Sequence, residues 1–240
     1  MSSLIWDEVW KHSLSPDIHW FAEEFLHYLV NWSLDMRYLL FLEPGAGSGR
    51  FGYYLAKRTR RVVALDLSRN SVNRIRGLGR ESGGLLEVIR ADILNMPFKD
   101  GAFDVVYNEG VVEHFPQPYP VLCEMVRVTR KPGIVIFSVP NIFSFHTFGK
   151  LIRSGSTSIS RPYGFERSFH KSDVYRMLQL LGLRNIEVHG IGLFYGVARY
   201  MPVPVYRVLY RVYIELRNTR LGLLLGEFAG FQIVGKGEKR

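Results

Sequence analysis

Residues 41–52 read FLEPGAGSGRFG, and this stretch narrows the fold more than any other. Apolar residues run into Glu43 and Pro44, three glycines follow at alternate positions, and a helix-like segment opens at Arg50. A strand turning this sharply into a helix belongs to a parallel α/β sheet, with free N–H groups of the helix start facing a negatively charged ligand. Glycine supplies the positive φ of such a turn and lets a ligand approach the main chain. Two spacings overlap here. Gly45, Gly47 and Gly49 make G-x-G-x-G, while Gly47, Gly49 and Gly52 make the G-x-G-x-x-G of dinucleotide binding. Asp66 ends the next apolar run, RVVALD, and suits the ribose hydroxyls of any adenosine cofactor, NAD included. The loop and Asp66 therefore leave the cofactor class open.

The alternation continues along the chain. The pattern predicts strands at 38–43, 61–66, 85–90, 103–108, 134–139, 186–189 and 230–234. It predicts helices at 50–60, at 118–130 (stopped by Lys131-Pro132-Gly133) and at 172–181 (stopped by Gly182), with Ser68 capping a further helix. Nearly all-apolar strands separated by helices predict an α/β fold whose mostly parallel sheet is covered on both faces. The 240 residues fit one domain spanning 1–240, with 37–140 as its cofactor-binding half. Three segments fall outside this rhythm. Segment 1–36 places Trp6, Trp10, Trp20, Phe21, Phe25 and Tyr28 at helical spacing, which fits either a helix packed on the sheet or a helical lid over the cofactor. Segments 141–170 and 196–227 are inserted on the expected acceptor side.

Lys and Arg number 31 against 22 acids, a net charge of +9 that favours acidic partners. A single cysteine, Cys123, excludes an internal disulfide and a cysteine-rich zinc site, and its neighbours Leu122 and Met125 predict a core position. The sequence MSSLIWDEVWKHS lacks a basic start followed by an apolar run, and no stretch of about 18 apolar residues occurs, so a cytoplasmic protein is expected. Around 205–217, Arg207, Arg211 and Asn218 form a stripe on a helix rich in tyrosine and leucine. Such a helix fits peripheral contact with an anionic membrane or a clamp on a lipid-like acceptor, and equally a buried helix with a solvated arginine face.

The third strand separates the cofactor classes. Asp92 follows it directly, with Ile93 and Leu94 beside it, placing an acid and apolar side chains at the height of an adenine ring. The stretch YNEGVVEHF then brings polar residues to the carboxyl end of the fourth strand. With these residues the chain resembles the class I S-adenosylmethionine-dependent methyltransferases. The likeness is strongest to the small-molecule branch that includes the quinone-biosynthesis enzymes. It rests on LEPGAGSG, VVALDLS, RADILNMPFKDGAFDVVYN and EMVRVTRKPGIVIFSVPN, in order, and on VVEHFPQP, which is similar to that branch's L-E-H-V-x-D-P element. It covers about 38–190 and the last strand.

The resemblance implies a Rossmann-like seven-stranded sheet with the last strand antiparallel, and S-adenosylmethionine as cofactor with S-adenosylhomocysteine as product. It implies that Glu43, Gly45, Gly47, Gly49 and Asn108 surround the methionine end, that Asp66 binds the ribose, and that Leu67, Asp92 and Ile93 contact the adenine. His114 is the candidate base, with Glu113 to orient it, and Tyr163, Glu166, Phe169 and His170 are candidate acceptor contacts. No metal is expected: Glu109, Glu113 and His114 lack a recognised ligand spacing such as H-E-x-x-H. The reading is methyl transfer to a small-molecule or lipid-like acceptor. Alternatives are a nucleic-acid methyltransferase, which the positive charge favours but the lack of D/N-P-P-Y/F and Pro-Cys signatures opposes, and a non-catalytic S-adenosylmethionine-binding protein. An NAD-dependent oxidoreductase is disfavoured by Asp92.

Overall fold

A computed structural model describes residues 6–8, 10, 20–33, 35–157, 159–160, 164–193, 208, 211–212, 215 and 219–240. Among them the strands are β1 (Leu40–Pro44), β2 (Arg61–Asp66), β3 (Leu86–Arg90), β4 (Phe103–Glu109), β5 (Thr129–Pro140), β6 (Ile159–Ser160), β7 (Phe165–Glu166), β8 (Arg184–Ile191) and β9 (Gln232–Lys239). The helices are α1 (Trp20–Trp32), α2 (Arg50–Ala56), α3 (Arg69–Glu81), α4 (Tyr119–Val128), α5 (Phe145–Ser154), α6 (Lys171–Leu180) and α7 (Arg220–Ala229). A seven-stranded sheet runs β3-β2-β1-β4-β5-β9-β8, and β6 and β7 pair as a small separate ribbon. Strands β1 to β5 pair in parallel, and β9 runs antiparallel to both of its neighbours, β5 and β8. This is the α/β fold, with an antiparallel last strand, that the sequence pattern and the resemblance implied.

Strand alternation sorts the core into two layers. Leu42, Val63, Val106, Val135 and Phe137 face α4 and α6, meeting Leu122, Met125, Val174 and Leu178. Phe41, Val62, Ala64, Val105 and Tyr107 face the other way, against Phe25 and Leu29 of α1, Phe51 and Leu55 of α2, and Ile75 of α3. With apolar residues wanted on both faces, β1 and β4 have no polar side to alternate, which is why they read as continuous apolar runs. Strand order reverses between β1 and β4, and the crevice this leaves lies at their carboxyl ends.

Several boundaries differ from the sequence expectation. Lys131-Pro132-Gly133 lies inside β5, because pairing steps from Phe103 opposite Thr129 to Val105 opposite Ile134 and the extra residues bulge out of the ladder. Cys123 is exposed, not core. The buried stripe of α4 is Val121, Leu122, Met125 and Val128, and residue 123 falls off that face. The expected helix at 205–217 lies outside the described residues except for Val208, Arg211, Val212 and Glu215, which are exposed. Among the described residues no helix is long and apolar enough to cross a membrane.

Candidate active site

A cavity of about 500 Å3 opens at the carboxyl ends of the central strands. The glycine turn forms its floor. Gly45 takes φ 75°, and its N–H and that of Ala46 both donate to the Leu65 carbonyl, at 2.7 and 3.1 Å, tying the turn to β2. Gly47 faces the cavity and lies so close to Trp10 that an added Cβ would stand 2.3 Å from the indole Cζ2. Gly49, at φ 73°, caps α2 and packs on Ile75 without lining the cavity. Gly52 is a packing residue, since a Cβ there would meet the Glu43 carboxylate and Leu86, each at 2.9 Å.

Asp66, Leu67, Ala91, Asp92, Ile93 and Leu94 line one end. The Asp66 carboxylate accepts from the N–H groups of Gly47 and Ser68, each at 2.8 Å, and so is oriented before any ligand arrives. Burial pushes its pKa up, and these hydrogen bonds oppose the rise. Asp92 Oδ1 accepts from the Leu94 N–H at 2.9 Å. Beneath the glycine turn, Glu43 is buried and accepts from the Gly52 N–H at 2.9 Å and the Tyr107 hydroxyl at 3.0 Å. Burial pushes its carboxyl up to about 8, so the protonated form prevails at neutral pH. Asn108 does not reach the cavity. It is fully buried on the α4 face of β4, its side-chain amide against the Met125 sulfur at 3.1 Å, and the next residue, Glu109, takes the rim position.

Glu109, His114, Glu166, Phe231 and Gln232 line the far end, with Trp6 and Arg50. Glu109 is clamped: Arg50 donates to it at 2.7 Å and the Gln232 amide at 2.8 Å, while Ser138 donates to Gln232 at 3.1 Å. His114 Nδ1 lies 2.8 Å from the Phe165 carbonyl. A carbonyl only accepts, so Nδ1 carries the hydrogen and Nε2 of the neutral ring is the acceptor. Burial holds this imidazole below its usual pKa, and the Trp6 ring packs edge-on against it at 4.9 Å.

Glu113 does not orient His114; the Phe165 carbonyl does. The Glu113 side chain is buried off the cavity, its Oε2 lacks a hydrogen-bond partner among the described residues, and burial drives its pKa well up. Of the four candidate acceptor contacts, Glu166 lines the cavity. Burial pushes its carboxyl up, but hydrogen bonds from His146 and Lys150 and the Lys150 charge outweigh this and hold it at about 2. Phe169 sits in the core under the Arg167 guanidinium, and His170 starts α6, its N–H donating to Asp173 at 2.9 Å. Tyr163 lies outside the described residues.

The sequence reading missed Arg50, Gln232 and Phe231 at the cavity. Arg50 follows the glycine loop and was within reach of that motif. Gln232 enters only because β9 inserts between β5 and β8, which no local spacing announces. Among the described residues no cluster of His, Cys, Asp or Glu is arranged to hold a metal ion.

Residues 42–137 match the family described as Methyltransferase domain. Over 193 residues the chain is 31% identical to a glycine/sarcosine/dimethylglycine N-methyltransferase of Actinopolyspora halophila, an alignment covering 78% of this chain and 31% of that protein. Residues 42–137 thus form a class I S-adenosylmethionine-dependent methyltransferase domain. A second methyltransferase relative, a malonyl-[acyl-carrier protein] O-methyltransferase of Serratia marcescens, is 31% identical over 97 residues, covering 40% of this chain and 36% of that one. The chain thus spans about a third of the length of these two curated relatives. In fold it is similar to the 1,6-didemethyltoxoflavin-N1-methyltransferase of Burkholderia thailandensis, solved with bound 1,6-didemethyltoxoflavin and S-adenosylhomocysteine. The TM-score is 0.60 and the identity 16%, with 97% of this chain and 81% of that one covered.

The residues present fit S-adenosylmethionine, the cofactor of this methyltransferase family. A preoriented carboxylate stands at ribose height, apolar side chains flank the place for a base, and the glycine turn lines the cavity at Gly45 and Gly47.

Proposed function

We propose that this chain transfers a methyl group from S-adenosylmethionine to a small-molecule or lipid-like acceptor. One observation carries the reading: a single cavity joins the Asp66–Asp92 end to a second end lined by His114, Glu166 and Gln232, leaving room for donor and acceptor together. Asp66 holds the ribose. Leu67, Asp92 and Ile93 hold the adenine, and Gly45, Gly47 and Glu43 form the floor under the methionine portion. The bound cofactor supplies an electrophilic methyl on a sulfonium, so the protein need form no covalent intermediate. Its work is to align donor and acceptor, which lowers the barrier by proximity, and to exclude water. Trp6, Trp10, Phe115 and Phe231 supply that apolar enclosure.

His114 is the base for an acceptor that must lose a proton. Its depressed pKa keeps it neutral near pH 7, and Nε2 is the acceptor nitrogen of the ring. Glu166, held ionised by Lys150, takes a hydrogen bond from an acceptor hydroxyl or amine. The named relatives act on different atoms, nitrogen in one and oxygen in the other, so relationship alone does not select the methylated atom.

The test has two parts. S-adenosylhomocysteine at about a hundred times its Kd is expected to raise the melting temperature by about 5–10 °C, while NAD leaves it unchanged. A shift with NAD alone overturns the cofactor assignment. Labelled methyl groups offered with extract fractions are expected in lipid or small metabolites, and label confined to RNA overturns the acceptor class.

A further inference from the structure

α5 has two unlike faces. Inward, His146 packs on the Phe231 ring at 5.1 Å and Lys150 pairs with Glu166, so this face touches the acceptor end of the cavity. Outward, Phe145, Phe148, Leu151 and Ile152 are exposed, Ile152 by 70%. α7 continues the apolar surface. Leu221, Leu224, Leu225 and Phe228 are exposed, Leu224 by 68%, and Phe228 stacks on Phe143 just before α5, with centroids 4.9 Å apart and planes at 14°. Two helices thus present large apolar side chains to solvent on either side of one stacked aromatic pair, an amount that marks an interaction site.

Charge says what covers it. Segment 141–170 holds four basic residues against one acid, and segment 196–227 holds five against two. Six of the nine net positive charges of the whole chain therefore fall in the two segments that carry this face. Arg211 and Arg220 are exposed among them. Exposed apolar side chains carried on segments of net positive charge match the layered chemistry of a bilayer with anionic headgroups.

We propose that the outer faces of α5 and α7 dock the protein on an anionic lipid bilayer. The docking stands apart from methyl transfer; only its meaning, delivery of an amphiphilic acceptor to the adjacent cavity end, rests on the proposed function. The test is co-sedimentation of the full chain with phosphatidylcholine vesicles, with and without phosphatidylglycerol. Binding is expected with the anionic lipid, weakening as salt rises. Ile152→Glu and Leu224→Glu are each expected to weaken it about ten-fold or more, while Tyr38→Glu, an exposed change before β1, leaves it unchanged. All three variants are expected to keep the melting shift with S-adenosylhomocysteine, which shows that they fold. No binding to anionic vesicles, or equal binding by the variants, overturns the proposal. So does a wild-type dimer that Ile152→Glu converts to monomer without vesicle binding, because a second copy then covers the face. Vesicle binding without methyl transfer overturns the proposed function and leaves the docking intact.

Discussion

Asp66 and Glu43 both lie against the glycine turn and differ in what fixes them. Asp66 is held by two backbone N–H groups and stays an acceptor toward the cavity. Removing it deletes a charged hydrogen-bond acceptor, so Asp66→Ala is expected to weaken S-adenosylhomocysteine binding about ten- to a hundred-fold by calorimetric titration. Unchanged affinity would remove Asp66 from the ribose site. Glu43 is a protonated acid in the folded chain, with a pKa of about 8 against an ordinary 4.5. A raised folded-state pKa means the unfolded chain sheds this proton first. The contribution is whole below about pH 4.5 and is lost as pH rises through about 8. Urea melts are therefore expected to show stability falling across that window by on the order of a few kcal/mol. Glu43→Gln, which cannot ionise, is expected to flatten the fall, and an equally steep variant would refute the assignment.

The N-terminal segment divides into two parts at the element scale. α1 packs on the sheet through Phe25 and Leu29. Trp6 and Trp10 instead line the cavity. Asp7 between them takes hydrogen bonds from the Ser68 hydroxyl at 2.7 Å and the Arg69 N–H at 2.6 Å, at the start of α3. That carboxylate ties the stretch carrying both cavity-lining tryptophans to a helix N-terminus, where negative charge is favoured. Asp7→Ala is expected to speed S-adenosylhomocysteine release several-fold in stopped-flow fluorescence, with a stability loss of about 1 kcal/mol from the weakened cap. An unaltered release rate would separate this segment from the site. The tryptophan spacing was visible in the sequence; in the structure Phe25 and Leu29 pack on the sheet while Trp6 and Trp10 line the cavity.

Across the whole molecule, what was legible follows from range. The positions of the seven sheet strands and of the glycine turn at Gly45–Gly49 come from local patterns and motif order, and the structure reproduces them. Asn108 was misplaced because strand alternation turns it into the α4 layer, a one-residue distinction that motif matching does not resolve. The Glu113–His114 adjacency in sequence suggested a pair, yet the partner of His114 comes from Phe165, 51 residues on. Gln232 required the antiparallel insertion of β9. Both core layers share the strands of one sheet, so neither can lose its packing alone. Fluorescence and circular dichroism are therefore expected to follow one coincident unfolding transition, and separated transitions would argue for two folding units.

Cys123 is the only cysteine in the chain and it is exposed on α4, across the sheet from α1 and α2. The wild-type protein therefore takes one thiol-reactive dye at one known position, with no engineered background. A second dye on the segment of Trp6 and Trp10 would make their distance readable by energy transfer. Any change in that distance on cofactor addition then becomes countable in single molecules.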